Sequence, residues 1–325
     1  MASASVSLAP VGAALRAASH VVIGSHVDPD GDAIGSCLGL AFALDAIGVP
    51  NTLVLGSGTS CPTTYAFLPG SDRFVSAEQI TEPPHVFVAL DSPDLRRLGA
   101  AERVARSAES LITIDHHPDA ISSGTLNVLD SGAAATGSLV WDLLPHLGVE
   151  PDGRIAKCLY TALLTDTGRF SYSNTTPDTL RTAAAMVDAG AHPNEIYTAV
   201  YENRSAGAQQ LVGRTLGRVM LANDGHVAYS WVDEADFAET GATPEEAENL
   251  IDFVRALGGV DVVVLVKANG ATTRASLRAK TDFDVGAIAR VFGGGGHRAA
   301  AGLSFEGDLP ALLARLLPLL PGGGQ

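Results

Sequence analysis

The sequence predicts an α/β protein: a doubly wound, mainly parallel sheet followed by a smaller α+β domain. Short apolar segments alternate with helix-like segments over residues 21–201, which is typical of parallel strands joined by crossover helices. After residue 203 the order of predicted strands and helices changes. A chain of 325 residues with 46% hydrophobic residues is also too long for one compact core. We expect one domain over residues 1–203 and another over 204–325, facing it across a cleft.

The strands of the first domain are predicted from apolar runs that end at polar turns. They are expected at Val21–Ser25, Thr52–Leu55, His85–Leu90, Ser110–Ile114 and Leu126–Leu129. Helices are expected over Asp32–Ile47, near Gly99–Ala108, and over Ala134–Leu147, Asp152–Thr165, Pro177–Gly190 and Pro193–Tyr201. Gly31, Gly35 and Gly39 recur at four-residue spacing, which indicates close packing of the first of these helices against the sheet.

The second domain is predicted to mix strands with fewer helices. The strands are expected at Val227–Trp231, Val260–Lys267 and Thr273–Ala279, and the helices over Pro244–Leu257 and Asp284–Phe292. This order indicates the α+β class for residues 204–325.

Four apolar segments deliver Asp or His side chains at their ends. His26, Asp30 and Asp32 follow the first strand in a Pro/Gly turn, where open α/β sheets bind their ligands. Asp91, the run Asp115-His116-His117, and Asp166 end three later segments. Any one Asp could simply cap the next helix. All four together favour a metal site.

The candidate ligands offer imidazole nitrogens and carboxylate oxygens without a thiolate. They are His26, Asp30, Asp32, Asp91, His116 and Asp166. Such a set suits two manganese ions, with magnesium, iron or cobalt as substitutes. The three cysteines are far apart in sequence, with no C-x-x-C pair, and are expected to be reduced and structural.

These motifs, H-x-x-x-D-x-D, a strand-terminal D, D-H-H and a further D, resemble those of the DHH phosphoesterase superfamily. The resemblance implies that His26, Asp30 and Asp91 hold one ion. Asp32, Asp91, His116 and Asp166 would hold the other, so that Asp91 bridges the two. Ions arranged in this way activate water for attack on phosphorus.

The resemblance also assigns His117 a catalytic role, as a donor or general acid toward a phosphoryl or leaving oxygen. His117 should not bind metal if His116 does, because adjacent residues at a strand end point to different sides. Asp115 is expected to orient an imidazole. The T-D-T-G-R-F stretch adds Arg169 as a candidate phosphate contact.

The strongest motif of the second domain is the glycine run 293–296, followed by His297 and Arg298. Its amides can approach an anion, although such a run can equally be a flexible loop. With Arg278 and the Asp284–Ala289 stretch, it resembles the DHH-associated domain of the nanoRNase and pAp-phosphatase branch. The implied substrate-binding residues are Arg278, Gly295, Gly296, His297 and Arg298.

The composition of the chain limits the kinds of partner that it is expected to bind. A formal net charge of −15 argues against a stable complex with long nucleic acid, because such binding draws on basic surface. Neither a membrane span nor a signal peptide is apparent, so a cytoplasmic protein is expected.

The resemblance implies an enzyme that hydrolyses oligoribonucleotides of a few residues, 3′-phosphoadenosine 5′-phosphate, or linear and cyclic dinucleotides. It also suggests a homodimer. Three alternatives stay open: a RecJ-like exonuclease, an inorganic pyrophosphatase, and a sensor that binds nucleotides without cleaving them. A sensor would be expected to lack a metal ligand, whereas all six are present here.

Overall fold

The computed structural model describes residues 7–58, 60–247, 250–269 and 272–323. Contacts divide the described chain after Glu202 into two compact units, called here the first and second unit. Among the described residues, each helix is too short or too polar to cross a membrane.

The first unit is built on six parallel strands. They are β1 (Val21–Gly24), β2 (Asn51–Leu55), β3 (Phe74–Ser76), β4 (Val86–Leu90), β5 (Ser110–Asp115) and β6 (Leu126–Leu129). The strand order is β3-β2-β1-β4-β5-β6, and every neighbouring pair is parallel. The chain therefore winds outward from β1 in one direction, returns to β4 beside β1, and winds in the other. This confirms the predicted doubly wound sheet and places its switch point between β1 and β4.

Helices cover both faces of this sheet. They are α1 (Ala9–Arg16), α2 (Gly31–Ala46), α3 (Glu102–Ser107), α4 (Thr136–Leu147), α5 (Gly153–Asp166), α6 (Pro177–Asp188) and α7 (Pro193–Tyr201). Along β4, Val88 and Leu90 belong to the larger apolar core, while Phe87 and Ala89 belong to a smaller one on the other face. Burial on both sides explains why the strands are almost entirely apolar.

The segment after β4 differs from the prediction of one helix near Gly99–Ala108. A 3-10 helix, Leu95–Ala101, comes first, and α3 follows it. Gly99 separates the two with φ +55 and ψ −126, a conformation open to glycine.

The glycines of α2 pack against a helix, and the prediction that they pack on the sheet was wrong. A Cβ on Gly35 would lie 2.4 Å from the Cys158 carbonyl oxygen, and one on Gly39 would lie 2.4 Å from Leu159. Both neighbours belong to α5. The spacing thus allows a close helix crossing that brings the beginning of α2 near the end of α5.

The second unit has a mixed six-stranded sheet in the order β11-β12-β10-β9-β8-β7. The strands are β7 (Met220–Ala222), β8 (Val227–Asp233), β9 (Val262–Asn269), β10 (Thr272–Ala279), β11 (Gly295–Gly296) and β12 (Ala300–Glu306). The helices are α8 (Ala206–Gly217), α9 (Glu234–Thr240), α10 (Leu250–Arg255), α11 (Val285–Val291) and α12 (Leu309–Leu316). Only β8 and β9 are parallel among the described pairs. Apolar clusters lie on both faces of this sheet.

The helix predicted over Pro244–Leu257 is interrupted in the structure. A 3-10 turn spans Glu245–Ala247 and α10 spans Leu250–Arg255, while positions 248 and 249 lie outside the described residues.

Replacement of Gly35 by alanine tests the helix crossing. We expect Gly35→Ala to destabilise the protein by about 1–3 kcal/mol, because its methyl group would meet a backbone carbonyl that cannot rotate away. Gly213→Ala is the matched control, since it lies in α8 with nothing within 4 Å of its added Cβ and should be neutral or stabilising. Urea unfolding measures both, and equal stability of the two variants would contradict the packing argument.

Candidate metal centre

The candidate ligands lie at the carboxyl edge of the sheet, at its switch point. His26 follows β1, Asp91 follows β4, and His116 follows β5. Asp166 is the last residue of α5. The helix dipole disfavours a negative carboxylate at the C-terminal end of a helix. A bound cation would offset this effect and stabilise the ionised form of Asp166.

His26 is buried, and its two ring nitrogens face different groups. Nδ1 lies 2.7 Å from the Val27 carbonyl oxygen, to which it donates. That hydrogen bond leaves Nε2 as the unprotonated nitrogen of the neutral ring, and Nε2 lies 3.4 Å from Asp91 Oδ2. The ring therefore offers a lone pair toward the centre, as a metal ligand must.

Asp30 is placed both to cap a helix and to bind a metal ion, the two roles that its position in the sequence suggested. Its Oδ1 accepts hydrogen bonds from the backbone N–H groups of Asp32 and Ala33 at 3.0 and 3.1 Å, and so caps α2. Ligand atoms of His26, Asp30 and Asp91 nevertheless lie within 4.8 Å of one another. The structure thus brings together the three residues expected to hold one ion.

Asp91 is the centre of the cluster. Its carboxylate is 2% exposed and lies 3.4 Å from His26 Nε2, 3.7 Å from His116 Nε2 and 3.6 Å from His117 Nδ1. Burial alone would raise its pKa, but the hydrogen bond with His26 and the imidazole charges outweigh burial and lower it. The residue has φ +51, a left-handed backbone that Asp tolerates better than most side chains.

The second group is formed by Asp32, Asp91 and His116, whose ligand atoms also lie within 4.8 Å of one another. His116 Nε2 is 3.5 Å from both Asp32 Oδ2 and Asp166 Oδ2. Its Nδ1 lies 3.2 Å from the Ala133 carbonyl oxygen, which fixes the ring as Val27 fixes His26. Asp91 is common to both groups.

Two residues that sequence reasoning missed hold these carboxylates. The N–H groups of Thr136 and Gly137 donate to Asp32 at 2.6 and 2.8 Å, and the Thr136 hydroxyl donates to Asp91 at 3.1 Å. These donors stand at the beginning of α4, where helix N–H groups are unpaired within the helix and favour anions. The Thr-Gly pair in the first turn of the helix predicted over Ala134–Leu147 was the available signal.

His117 approaches the centre more closely than the alternation argument suggested. Asp115 Oδ1 accepts the backbone N–H of His117 at 2.6 Å and lies 3.0 Å from its Nδ1. This short loop turns the His117 ring back toward Asp91. Asp115 thus contacts an imidazole as expected, and its other oxygen is buried without a hydrogen-bond partner among the described residues.

The charged groups of the centre shift one another's pKa values. Burial and the charge of Asp91 raise the pKa of Asp32 well above its usual range. Burial likewise raises the pKa of Asp166 to about 6. Burial disfavours a charged His116 ring, but the surrounding carboxylates, Asp166 first, outweigh it and raise its pKa to about 9. Crowded carboxylates that resist ionisation favour binding of cations.

The donor set fits divalent cations. The oxygen and imidazole ligands are hard to borderline and include no thiolate, since Cys37 and Cys158 are buried thiols whose pKa burial raises. Among the described residues of the first unit, three candidate ligand groups share Asp91: the two above, and a third with Asp115 and His117. A carboxylate shared between ligand groups can bridge two ions.

The predicted substrate residues of the second unit lie at one end of its sheet. Arg278 on β10 pairs with Ala300 on β12, and Ala300 is hydrogen-bonded to His297 in both directions. Arg298 donates to the Asp282 carbonyl oxygen. The juxtaposition of Arg278 and His297 is therefore set by β12.

The glycine run has a packing role that the sequence argument did not anticipate. Gly295 and Gly296 form β11 against β12, and a Cβ on Gly294 would lie 2.2 Å from the Gly302 carbonyl oxygen. The amides of Gly293, Gly294 and His297 donate to protein carbonyls. The amides of these three residues are thus already paired, which corrects the interpretation of the run as an open row of anion-binding amides.

Known proteins resemble the chain over nearly its whole length. A model of the DHH family, N-terminal domain, matches residues 20–163, and a model of the DHHA1 domain matches residues 224–320. The bifunctional oligoribonuclease and PAP phosphatase NrnA of Thermus thermophilus is 34% identical over 299 residues, covering 91% of this chain and 88% of the relative. The Bacillus subtilis protein of the same name is 26% identical, covering 87% and 88%.

A solved structure shows the same fold. The exopolyphosphatase-related protein from Bacteroides fragilis aligns with a TM-score of 0.85 over 94% of this chain and 93% of that chain, at 24% identity. The 34% identical relative and the two matching domain models show that the chain belongs to the DHH family.

Proposed function

We propose that the chain is a hydrolase that uses two divalent cations, manganese first, to cleave short oligoribonucleotides and 3′-phosphoadenosine 5′-phosphate. The observation that carries this proposal is the pair of ligand groups sharing Asp91 at the sheet's switch point. The names of the Thermus and Bacillus relatives support the two substrate classes. Linear and cyclic dinucleotides belong to the same proposal, because their phosphodiester linkage is chemically the same.

Each residue of the metal centre has a proposed task. His26, Asp30 and Asp91 would hold one ion, and Asp32, Asp91, His116 and Asp166 the other. Bound divalent cations supply activation of water and neutralise the charge that develops on phosphoryl oxygens. Thr136 and Gly137 hold Asp32 in place, and Asp115 orients His117. His117 would donate a proton or hydrogen bond to an oxygen of the reacting phosphate.

A substrate comparison tests the proposal. With manganese present, the protein should release mononucleotides from a dinucleotide and phosphate from 3′-phosphoadenosine 5′-phosphate faster than phosphate from pyrophosphate. Chelation should abolish both reactions, and manganese should restore them. Preference for pyrophosphate would indicate the pyrophosphatase alternative, and tight binding of nucleotide without release of product would indicate a sensor.

Arg278, Gly295, Gly296, His297 and Arg298 are proposed to bind the part of the substrate beyond the cleaved phosphate. A homodimer, expected from the resemblance, is part of the same proposal and is measured by light scattering.

Substrate length provides a specific prediction. We expect kcat/KM to fall from dinucleotides to RNAs of about twenty nucleotides for two reasons. Binding of the substrate's far end favours short substrates, and the acidic protein repels long polyanions. His297→Ala should raise KM for a dinucleotide and leave a minimal phosphoester nearly unaffected. His226→Ala is the matched control, since this exposed imidazole pairs with Asp261 at 2.7 Å outside the proposed site. A flat length profile, or equal losses on both substrates, would contradict end recognition.

A further inference from the structure

The loop that follows Asp91 carries two adjacent arginines in different environments. Arg96 and Arg97 are both exposed and belong to the 3-10 helix Leu95–Ala101. The Arg96 guanidinium forms an ion pair with Asp94, whose carboxylate also accepts the Arg96 backbone N–H at 2.9 Å. Arg97 has no such neighbour, so the two residues differ in partner although they share charge, exposure and element.

The backbone of Arg97 is fixed to the turn that carries the first ligands. The Val27 N–H donates to the Arg97 carbonyl oxygen at 2.7 Å, and Ala100 N–H donates to the Gly56 carbonyl oxygen at 2.9 Å. A Cβ on Gly99 would lie 2.5 Å from a methyl group of Val27, so the two segments are in close contact. Arg97 is thereby held next to the residue that follows His26.

Arg97 differs from the other cations of the first unit. Within the described residues of that unit, every other Arg or Lys contacts a carboxylate, a carbonyl oxygen or an aromatic ring. These are Arg16, Arg73, Arg96, Arg103, Arg106, Arg154, Lys157, Arg169 and Arg181. The Arg97 side chain is exposed, and its guanidinium has no hydrogen bond or ion pair with another described residue. Its charge is therefore available to a ligand.

We infer that Arg97 binds a phosphate group of the substrate, and this inference rests on the proposed function. Two divalent cations would balance the four carboxylates Asp30, Asp32, Asp91 and Asp166, so the substrate's own negative charge needs a further cation. A guanidinium suits that task because its planar donors match two phosphate oxygens at once. The ligand class is a phosphate monoester or diester of a nucleotide.

Neutralising each arginine in turn tests the inference. Arg97→Gln should lower kcat/KM about 10–100-fold for 3′-phosphoadenosine 5′-phosphate and for a dinucleotide, mainly by raising KM. Arg96→Gln, which removes the same charge one residue earlier, should stay within about threefold of wild type. The kcat/KM of Arg97→Lys should fall between those of the two glutamine variants, because lysine keeps the charge and loses the planar pair of donors. Bound manganese and thermal stability should be unchanged in all three.

These measurements distinguish failure of the proposed function from failure of the proposed role of Arg97. Wild type that cleaves neither substrate would refute the proposed function. Active wild type with Arg97→Gln inside threefold, or with equal losses in Arg96→Gln, would overturn the role of Arg97. If Arg97→Gln does not fold, Arg97→Lys against Arg96→Lys gives the same comparison: a loss confined to Arg97→Lys supports phosphate binding, and equal activities overturn it.

Discussion

Asp91→Asn should lower kcat/KM for 3′-phosphoadenosine 5′-phosphate by about 10³-fold or more, because one change weakens both cation sites. The Asp91 carboxylate belongs to both ligand groups and contacts imidazoles at 3.4, 3.6 and 3.7 Å. Asparagine is the appropriate replacement, since it tolerates the left-handed backbone of this position and keeps an acceptor for the Thr136 hydroxyl. Activity with saturating manganese and the manganese bound per chain are the measurements.

Asp28→Asn is the matched control for this variant. Asp28 lies in the turn after β1, is exposed, and has φ +56, so the same substitution meets the same backbone requirement outside the ligand groups. It should retain most of the activity. Without metal and at neutral pH, Asp91→Asn should unfold at a somewhat lower temperature than wild type, because the His26 hydrogen bond and the imidazole charges that lower the Asp91 pKa stabilise its charged form. Near-normal turnover of Asp91→Asn would refute the bridging role.

The sheet and its polar strand ends could be predicted because they depend on local pattern. A strand buried on both faces is almost entirely apolar, so the first Asp or His after it marks the end that parallel topology gathers at one edge. His26, Asp91 and His116 were found in this way. Asp166 ends a helix instead, and the same reasoning applied because α5 is also buried along its length.

Contacts between distant segments could not be predicted in the same way. Thr136 and Gly137 reach Asp32 across more than a hundred residues, and nothing in their local sequence identifies that carboxylate. Glycine shows that a close approach is needed and does not show the partner. The glycines of α2 pack on α5 where the sheet was expected, and Gly294, Gly295 and Gly296 pack on β12, a contact that the glycine run itself did not indicate.

His117→Ala should lower kcat by about 10²–10⁴-fold while both cations stay bound. Its Nδ1 is engaged by Asp115 Oδ1 at 3.0 Å, which fixes the ring so that it can act on a substrate oxygen rather than on metal. His85→Ala is the matched control, because His85 precedes β4 at the opposite edge of the same sheet and accepts the Ser19 N–H at 3.0 Å. Loss of bound manganese in His117→Ala would show that His117 is itself a ligand.

A double-variant comparison then decides how Asp115 contributes. Asp115→Asn should lower activity by about 10–100-fold, the usual effect of losing a carboxylate that orients an imidazole. If Asp115 acts only through His117, then Asp115→Asn in the His117→Ala background should cause little further loss, because the ring it orients is already absent. A full additional loss, or lowered manganese content in Asp115→Asn alone, would instead place the buried carboxylate of Asp115 among the groups that hold metal.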